Sequence, residues 1–369
     1  MTMDIYERVG VPPVINAAGK LTALGGSAQH EEVAAAQFSA ARGHVDLSTL
    51  RQRAGELAAQ ATGAEAASIT TGAAAGIVVS VAAVIAGTDP RLIALLPESE
   101  GQRNRILIQA GHWVNFGAPV EQMVRLGGGV PQLVGNVNNV PEAVLEETLR
   151  ESEPAALLYV QSHHAVQERM VSLERSIELA HTHNVPVIVD AAAEQDLLHY
   201  IATGVDLVTY SGGKALGGPT VGFIAGRREL VEACEAQTRG IARPMKVGKE
   251  QIVALLVALE RYSARDESAE LEREQRVNAI VRGSLDGIDT VDVTLRPDEA
   301  GRPIERVALS ARDGAFDVRE LVDFLAEGSP SIRTRNHHLD AGIVAIDPRE
   351  VSEEQAAVIA DRLRAFFRS

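Results

Sequence analysis

The sequence predicts an α/β protein with a mainly parallel sheet that is covered by helices on both faces. Short apolar, β-branched runs alternate with helix-compatible stretches through the middle of the chain, and a more charged pattern follows after Arg243. Alternation of this kind is typical of βαβ units, in which crossover helices join parallel strands. The predicted strands are "AASITT" (66–71), "RILIQA" (105–110), "AALLYVQ" (155–161), "VPVIVDA" (185–191), "VDLVTYS" (205–211) and "TVGFIAG" (220–226).

The part of the chain after Arg243 predicts a second, smaller domain. A long charged stretch, residues 249–281, favours one connecting helix, and shorter strand-like and helix-like segments follow it. A chain of 369 residues is long enough to form two cores. We therefore expect an N-terminal segment over 1–50, a large α/β domain over 51–248, and the connecting helix with a small C-terminal α+β domain over 249–369.

Composition restricts the partners and the compartment. The 35 basic and 50 acidic side chains give a formal charge of −15, which opposes binding to nucleic acid or to an anionic membrane surface. The single cysteine, Cys234, excludes an internal disulfide and a multi-cysteine metal site, so we expect no metal and a cytoplasmic location. The chain opens with no signal-peptide pattern, and its most apolar run, residues 76–87, is short for a membrane span and predicts a buried helix.

A single lysine, Lys214, lies between two glycine pairs in the stretch "TYSGGKALGGPTVGFIAGR", residues 209–227. The turn falls between two predicted strands, and its small neighbours leave room for a planar group beside the amine. A lysine in apolar, glycine-lined surroundings can become nucleophilic, which suits Schiff-base chemistry with a carbonyl compound. The same local pattern also fits a surface lysine in a glycine hairpin.

A carboxylate, Asp190, ends the predicted strand "VPVIVD". Ligands of open α/β sheets collect beyond the carboxyl ends of the strands, which is where this side chain is expected. After five apolar residues, an isolated carboxylate would be costly to desolvate and needs a cationic or protonated partner. We interpret Asp190 as a counter-ion for a ligand, and the alternative is a helix N-cap or turn former.

The segment "TTGAAAGI", residues 70–77, forms the third part of the predicted site. Its tiny residues lie at a strand-to-helix transition, where a phosphate can approach the first N–H groups of the helix. Small residues can equally serve close packing of the helix on the sheet. Together with an amine and a carboxylate, however, an anion cradle completes what pyridoxal 5′-phosphate requires.

Four segments follow one another along the chain: "INAAGKLTALGGS" (15–27), "GAEAASITTGAAAGI" (63–77), "VDAAAEQDL" (189–197) and "SGGKALGGPTVGFIAG" (211–226). Together they carry a family resemblance that covers most of residues 10–250. They resemble the selenocysteine-synthase-like (SelA-like) branch of fold type I pyridoxal-phosphate enzymes, and within it the D-glucosaminate-6-phosphate ammonia-lyase-like group. The resemblance implies a fold type I transferase fold with a mainly parallel sheet of the seven-stranded type. The narrower group is supported by "INAAGKLTALGGS" and by "RPMKVGKE" (243–250).

The resemblance implies a role for each matching residue. Lys214 would form the Schiff base with the cofactor, and Asp190 would pair with its pyridine nitrogen. The phosphate would bind at the turn of Gly72, Ala73 and Ala74 and at Ser211. Two loop histidines have less defined expected roles: His112 would stack on the cofactor or be structural, and His163 would face the cofactor O3′ or the substrate.

The implied reaction is an α,β-elimination. If Asp190 keeps the pyridine nitrogen protonated, electrons released at Cα pass to the ring, and Lys214 is the natural proton carrier. Loss of a β-hydroxyl from an acidic amino acid, with or without a phosphate group, would then give a 2-oxo acid and ammonia. An acidic substrate needs cations, although most arginines serve only as solvated surface charges. The candidate cations are Arg243, Lys246, Arg333 and Arg335.

Several alternatives remain open at the level of the sequence. Racemisation and aldol cleavage can pass through the same stabilised carbanion, and a non-enzymatic cofactor-binding protein would keep the site without turnover. A selenocysteine synthase acting on aminoacyl-tRNA is opposed by the acidic charge and by the short segment before the core. The expected partners are a small amino-acid or amino-sugar-acid substrate and at least one further copy of the chain, because relatives of this fold commonly complete their sites across a dimer interface.

Overall fold

The computed structural model describes residues 5–162, 164–298 and 302–368. Within these residues the chain forms twelve β-strands and fourteen α-helices. The strands are β1 (Val14–Ala17), β2 (Ala66–Thr70), β3 (Arg105–Gln109), β4 (Val130–Val134), β5 (Ala156–Val160), β6 (Val187–Asp190), β7 (Leu207–Ser211), β8 (Gly222–Gly226), β9 (Val291–Pro297), β10 (Glu305–Ala311), β11 (Ser331–Thr334) and β12 (Ile343–Ile346). The helices are α1 (Ile5–Arg8), α2 (Glu31–Ala41), α3 (Leu47–Thr62), α4 (Ala73–Ala86), α5 (Pro90–Leu95), α6 (Val120–Leu126), α7 (Glu142–Ser152), α8 (Leu173–Thr182), α9 (His199–Ala202), α10 (Arg228–Ala236), α11 (Lys249–Ser263), α12 (Glu267–Gly283), α13 (Val318–Ala326) and α14 (Glu353–Phe366).

The chain divides into two compact units. The large unit comprises residues 29–264, and the small unit comprises the described residues of 1–28 together with those of 265–369. This division differs from the expected one at the N terminus, because the first residues of the expected N-terminal segment belong to the small unit. The reason is strand pairing: β1 lies parallel to β11, with Val14 opposite Ser331.

The division also differs at the expected connecting helix. Residues 249–281 do not form one helix but two, because α11 ends at Ser263 and α12 begins at Glu267. Asp266 accepts hydrogen bonds from the N–H groups of Ser268 and Ala269 at 3.0 and 3.1 Å and so caps the second helix. An aspartate N-cap satisfies the free donors of a new first turn, and here it marks the border between the units.

The large unit is built on a seven-stranded sheet of order β2-β8-β7-β6-β5-β3-β4. β3 to β7 pair in parallel, whereas β8 runs antiparallel to its neighbours β2 and β7. The six strands expected from the sequence are all present, which confirms the predicted α/β fold with a mainly parallel sheet. The sequence reading missed β4, an edge strand whose Pro131 is tolerated because one of its sides needs no ladder hydrogen bond.

Helices cover both faces of this sheet. One buried apolar cluster contains Leu157 and Val187, and another contains Leu158 and Ile188, the next residues along the same strands. Alternate side chains of a strand point to opposite faces, so the two clusters lie on opposite faces of the sheet. α4 contains the most apolar run and is almost entirely buried, which confirms the predicted buried helix. Across the described ranges, no helix combines the length and apolarity needed to cross a bilayer.

The small unit has its own core. Its three-stranded antiparallel sheet has the order β12-β10-β9, and the pair β1-β11 lies in the same unit. Buried residues of both sheets pack in one cluster with α12, α13 and α14, including Ile332 from β11 and Val344 from β12. The small unit therefore combines α-helices with β-strands, and the N-terminal strand β1 is one of its members.

Candidate active site

The carboxyl ends of three parallel strands bring the predicted site residues to one edge of the large sheet. Val160 of β5 lies opposite Asp190 of β6, and Asp190 lies opposite Thr209 of β7. Parallel strands in register end at the same edge, so Asp190 and Ser211 both follow the buried part of the sheet. This edge is where ligands of α/β proteins bind.

The Asp190 carboxylate is buried, with 5% of the residue exposed. Its Oδ1 accepts a hydrogen bond from the N–H of Ala192 at 3.2 Å. Burial raises the pKa of Asp190 to about 6, and the charge of Lys214 and the Ala192 hydrogen bond offset part of that rise. A carboxylate that is costly to ionise but faces a nearby amine is suited to hold a proton on a bound group.

Lys214 is half-buried in a turn between β7 and β8. Hydrogen bonds close this turn: the Gly212 N–H donates to Val221 O at 2.6 Å and the Gly218 N–H donates to Gly212 O at 2.8 Å. A Cβ on Gly212 would approach Val221 O to 2.9 Å, so the chain can fold back this closely only without a side chain there. The glycines around Lys214 therefore form a tight turn between the two strands.

The start of α4 packs directly on the neighbouring strands. Gly72 is the N-cap residue and has a φ of 151°, and no side chain caps the helix. A Cβ on Gly222 would lie 2.9 Å from Gly72 Cα, and a Cβ on Gly76 would lie 1.9 Å from Thr209 Oγ1. The start of α4 therefore packs closely on β7 and β8, and no side chain caps its N-terminal end. The N–H groups of the first turn, which begins at Ala73 and Ala74, suit an anion.

His112 is fully buried at the end of β3 and hydrogen-bonded on both ring nitrogens. The Val160 N–H donates to Nδ1 at 3.4 Å, so Nε2 carries the hydrogen and donates to Gln167 Oε1 at 3.2 Å. Tyr159 Oη donates to the same Gln167 oxygen at 3.0 Å, and its ring meets the imidazole edge-on at 4.4 Å. Burial lowers the pKa of His112 to about 4 despite the Gln167 hydrogen bond, so this imidazole is neutral.

A network of tyrosines holds the segment that follows Asp190. Tyr262 donates a hydrogen bond to Gln195 O and accepts one from the Leu197 N–H at 3.2 Å. Tyr210 donates to Leu197 O at 3.1 Å. These tyrosines come from distant positions in the chain, and the sequence reading missed them together with Gln167. No local pattern marks them, because their importance depends on which loop they reach.

The remaining predicted residues have different surroundings. Ser211 is half-buried at the end of β7, and Arg243 and Lys246 are exposed in and just after a short 3-10 helix of the large unit. His163 lies outside the described residues. In the small unit, Arg333 is exposed on β11, whereas Arg335 is buried at 4% exposure.

Comparison with known proteins identifies the family. The profile of the SelA family, L-seryl-tRNA selenium transferase, matches residues 14–278. The chain belongs to this family. It is 41% identical over 366 residues to D-glucosaminate-6-phosphate ammonia lyase of Salmonella typhimurium, covering 99% of this chain and 98% of the relative. It is 42% identical over 367 residues to a 5'-C-glycyluridine monooxygenase-decarboxylase of a Streptomyces species, covering 98% and 91%.

A solved structure extends the similarity to the whole fold. The structure of D-glucosaminate-6-phosphate ammonia-lyase superposes with a TM-score of 0.91 at 40% identity and covers 100% of this chain and 99% of its own. These similarities confirm the predicted family, the fold type I fold, the pyridoxal-phosphate cofactor and the enzyme class, a lyase of the ammonia-lyase type. The large unit fits that cofactor: it offers an amine at Lys214, a buried carboxylate at Asp190 and an uncapped helix end at Gly72.

Proposed function

We propose that this enzyme catalyses an α,β-elimination on an acidic, phosphorylated β-hydroxy amino acid that resembles D-glucosaminate 6-phosphate. The observation that carries the proposal is the buried Asp190 carboxylate facing the charge of Lys214 at the carboxyl edge of the sheet. The near full-length similarity to an ammonia lyase supports the choice of substrate. Such a substrate carries its amino group at C2, a hydroxyl group at C3 and a phosphate at C6.

The proposed roles follow from the positions of the side chains. When bound, pyridoxal phosphate accepts the electron pair that is released at the substrate Cα. Asp190 holds a proton on the pyridine nitrogen, which its burial favours because an ionised carboxylate there needs a cationic partner. Lys214 binds the cofactor and removes the Cα proton. Ser211 and the N–H groups at the start of α4 would bind the cofactor phosphate. Neutral His112 is fully buried and bonded on both ring nitrogens within the protein, which favours a structural role for it.

The overall reaction balances without a further reactant. The C2 proton and the C3 hydroxyl group leave together as water, C3 gains a proton from solvent, and hydrolysis at C2 releases ammonia and a 2-oxo acid. Lys214 is the group that carries the C2 proton. The candidate cations for the acidic groups of the substrate are Arg243, Lys246, Arg333 and Arg335. Arg243 and Lys246 belong to the large unit, and Arg333 and Arg335 belong to the small unit.

A second candidate function is oxidative decarboxylation. It is favoured by the 42% identity to a monooxygenase-decarboxylase, which is as high as the identity to the ammonia lyase. Racemisation and aldol cleavage would use the same proton carrier and stay as further alternatives. Action on aminoacyl-tRNA is less supported, because an L-seryl-tRNA(Sec) selenium transferase matches at only 23% identity and the net charge of −15 repels nucleic acid.

The products separate these reactions. Purified holoenzyme would be incubated with D-glucosaminate 6-phosphate, its unphosphorylated form and simple β-hydroxy amino acids, in deuterated water. We expect ammonia and a 2-oxo acid in equal amounts, with one solvent deuterium at C3. Carbon dioxide release with oxygen consumption would instead support the decarboxylase. Exchange only at Cα would identify a racemase or epimerase, and an aldehyde with a smaller amino acid would identify an aldolase.

We also propose that the active enzyme is a homodimer or a larger homo-oligomer in the cytoplasm. Large apolar side chains are exposed on the large unit, among them Phe38 at 65% and Val45 at 53%, and such groups would suit a protein interface where they form one contiguous patch. The one cysteine, Cys234, is buried and free, which suits a reducing compartment. Sedimentation of the holoenzyme at assay concentration tests the assembly, and an active monomer would contradict it.

A further inference from the structure

The start of α4 is held by hydroxyl groups from two strands of the large sheet. Thr70, the last residue of β2, donates from its Oγ1 to the carbonyl oxygen of Gly72 at 3.0 Å. Thr209 of β7 donates from its Oγ1 to the carbonyl oxygen of Ala73 at 3.4 Å. Both threonines are buried. The first two carbonyl groups of this turn are therefore bonded to side chains of the protein interior.

The planarity of the peptide bond makes these contacts a constraint on the proposed phosphate site. The carbonyl group of Gly72 and the N–H group of Ala73 belong to one planar peptide unit and point in opposite directions. The same holds for the carbonyl group of Ala73 and the N–H group of Ala74. First-turn N–H groups have no partner within the helix. A hydroxyl group that fixes the carbonyl thus also aims the opposite N–H group at a bound anion.

Thr209 also determines how closely α4 approaches the sheet. A Cβ on Gly76 would lie 1.9 Å from Thr209 Oγ1 and 2.9 Å from Thr209 Cβ, so the helix backbone packs directly on this side chain. Thr209 is fully buried, and its hydroxyl group therefore depends on an acceptor within the protein. A glycine on the helix and a threonine on the strand together fix the distance between α4 and β7.

Thr209 is the residue of β7 that lies opposite Asp190 of β6. Residues opposite each other on neighbouring strands, which are about 4.8 Å apart, have their side chains on the same face of the sheet. α4 packs on this face, because Ile77 shares a buried cluster with Leu207 and Ile188, which precede Thr209 and Asp190 by two residues. Thr209 therefore adjoins both the carboxylate and the turn that we assign to the cofactor.

We propose that Thr209 is a positioning residue for the cofactor: its hydroxyl group sets the distance between Asp190 and the N–H groups that bind the cofactor phosphate. The pyridine nitrogen and the phosphate belong to one molecule with a rigid ring, so both contacts form fully only when the protein holds them at the matching separation. Thr70 supports the same turn, but its strand does not adjoin that of Asp190. The inference rests on the site assigned under the proposed function and is independent of the reaction catalysed there.

Titration of the full-length cofactor-free chain with pyridoxal phosphate and with pyridoxal, followed by absorbance, tests the proposal. Both compounds carry the ring and the aldehyde, but only the first carries the phosphate group. Thr209→Val removes the hydroxyl group and keeps the shape, Thr209→Ala removes it without adding an atom next to Gly76, and Thr209→Ser retains it. Thr62→Val is the matched control, because Thr62 is equally buried and donates to backbone carbonyl groups within α3, at Ala58 and Ala59.

We expect Thr209→Val and Thr209→Ala to raise the Kd for pyridoxal phosphate by about fivefold to tenfold, which is the effect of one hydrogen bond, and the Kd for pyridoxal by less than about twofold. Thr209→Ser and Thr62→Val should stay within about twofold of the wild type for both compounds. In phosphorus NMR spectra of the holoenzymes, the cofactor resonance should move in Thr209→Val and Thr209→Ala but not in Thr62→Val.

Equal weakening of pyridoxal phosphate and pyridoxal by Thr209→Val would overturn the proposal, because the effect would then concern the ring and not the phosphate. Equal weakening by Thr209→Val and Thr62→Val would also overturn it, because the loss of any buried hydroxyl group would then suffice.

Ala74→Asp separates failure of this inference from failure of the assigned site. It places a carboxylate in the first turn of α4, where a negative charge is favourable for the helix itself but repels a phosphate. If Ala74→Asp leaves the binding of pyridoxal phosphate unchanged, the assigned phosphate site is wrong and the proposal fails with it. If Ala74→Asp weakens this binding and the two Thr209 variants that lack the hydroxyl group do not, the site is correct and only the role of Thr209 is wrong.

Discussion

The ionisation of Asp190 gives the most specific prediction of this structure, and it concerns the cofactor-free enzyme. Replacement of Asp190 by Asn keeps the shape of the side chain and the acceptor for the Ala192 N–H, but removes the charge. The Asp190 pKa is raised from 3.8 to about 6, chiefly by burial. The folded chain therefore binds the Asp190 proton more tightly than the unfolded chain does.

The sign and size of the effect follow from proton linkage. A carboxyl group with a raised pKa stabilises the folded state below pH 3.8, and this contribution is lost as pH rises from there to about 6. A shift of about 2 pKa units corresponds to about 3 kcal/mol. The wild type loses this contribution at high pH, whereas Asp190→Asn has no such contribution to lose. We therefore expect the free energy of unfolding of cofactor-free Asp190→Asn, minus that of the wild type, to be higher at pH 8 than below pH 4 by about 3 kcal/mol.

Urea unfolding of the two cofactor-free proteins between pH 4 and pH 8, followed by circular dichroism, measures this difference. Asp286→Asn is the control, because it makes the same replacement at an exposed aspartate outside the site. A stability difference between wild type and Asp190→Asn that is the same at pH 4 and pH 8 would refute the reasoning. In the holoenzyme, the same variant should lose most of its activity, since the proton on the pyridine nitrogen is no longer held.

Three further substitutions test the supporting structure. Gly76→Ala should lower the free energy of unfolding by about 1–3 kcal/mol and weaken cofactor binding, because the new Cβ would collide with Thr209. Gly283→Ala is the control, because a Cβ there meets nothing within 4 Å. Equal thermal stability of the two variants would contradict this prediction. Gln167→Leu should cost about 1–3 kcal/mol in urea unfolding, because the Nε2–H of His112 and a tyrosine hydroxyl lose their common acceptor, and an unchanged midpoint would show that the network is dispensable. Tyr262→Phe should speed hydrogen exchange of the segment after Asp190 and lower kcat, and normal exchange there would refute its anchoring role.

Much of the fold is encoded in local sequence patterns. The buried strands read as continuous apolar runs because both faces of the sheet are covered, and the glycines around Lys214 mark a turn that other residues cannot form. The role predicted for Asp190 rests on its position at the end of a buried strand, where a carboxylate needs a cationic or protonated partner.

The features that were missed depend on long-range contacts. β1 joins β11 across more than three hundred residues, so nothing near Val14 indicates its partner. The break between α11 and α12 depends on Asp266 acting as a cap, within a stretch whose other residues favour helix. The tautomer of His112 depends on Gln167, which a loop brings to it.

The central claim is that Lys214 carries the cofactor, and covalent labelling tests it most directly. Holoenzyme would be reduced with borohydride, digested, and analysed by peptide mass mapping, with Lys214→Ala and Lys246→Ala measured in parallel. We expect a phosphopyridoxyl group on Lys214 in the wild type and in Lys246→Ala, and no label in Lys214→Ala, which should stay folded but lose multiple turnover. A label on any other lysine of the wild-type enzyme, or full turnover by Lys214→Ala, would contradict the assignment of the active site.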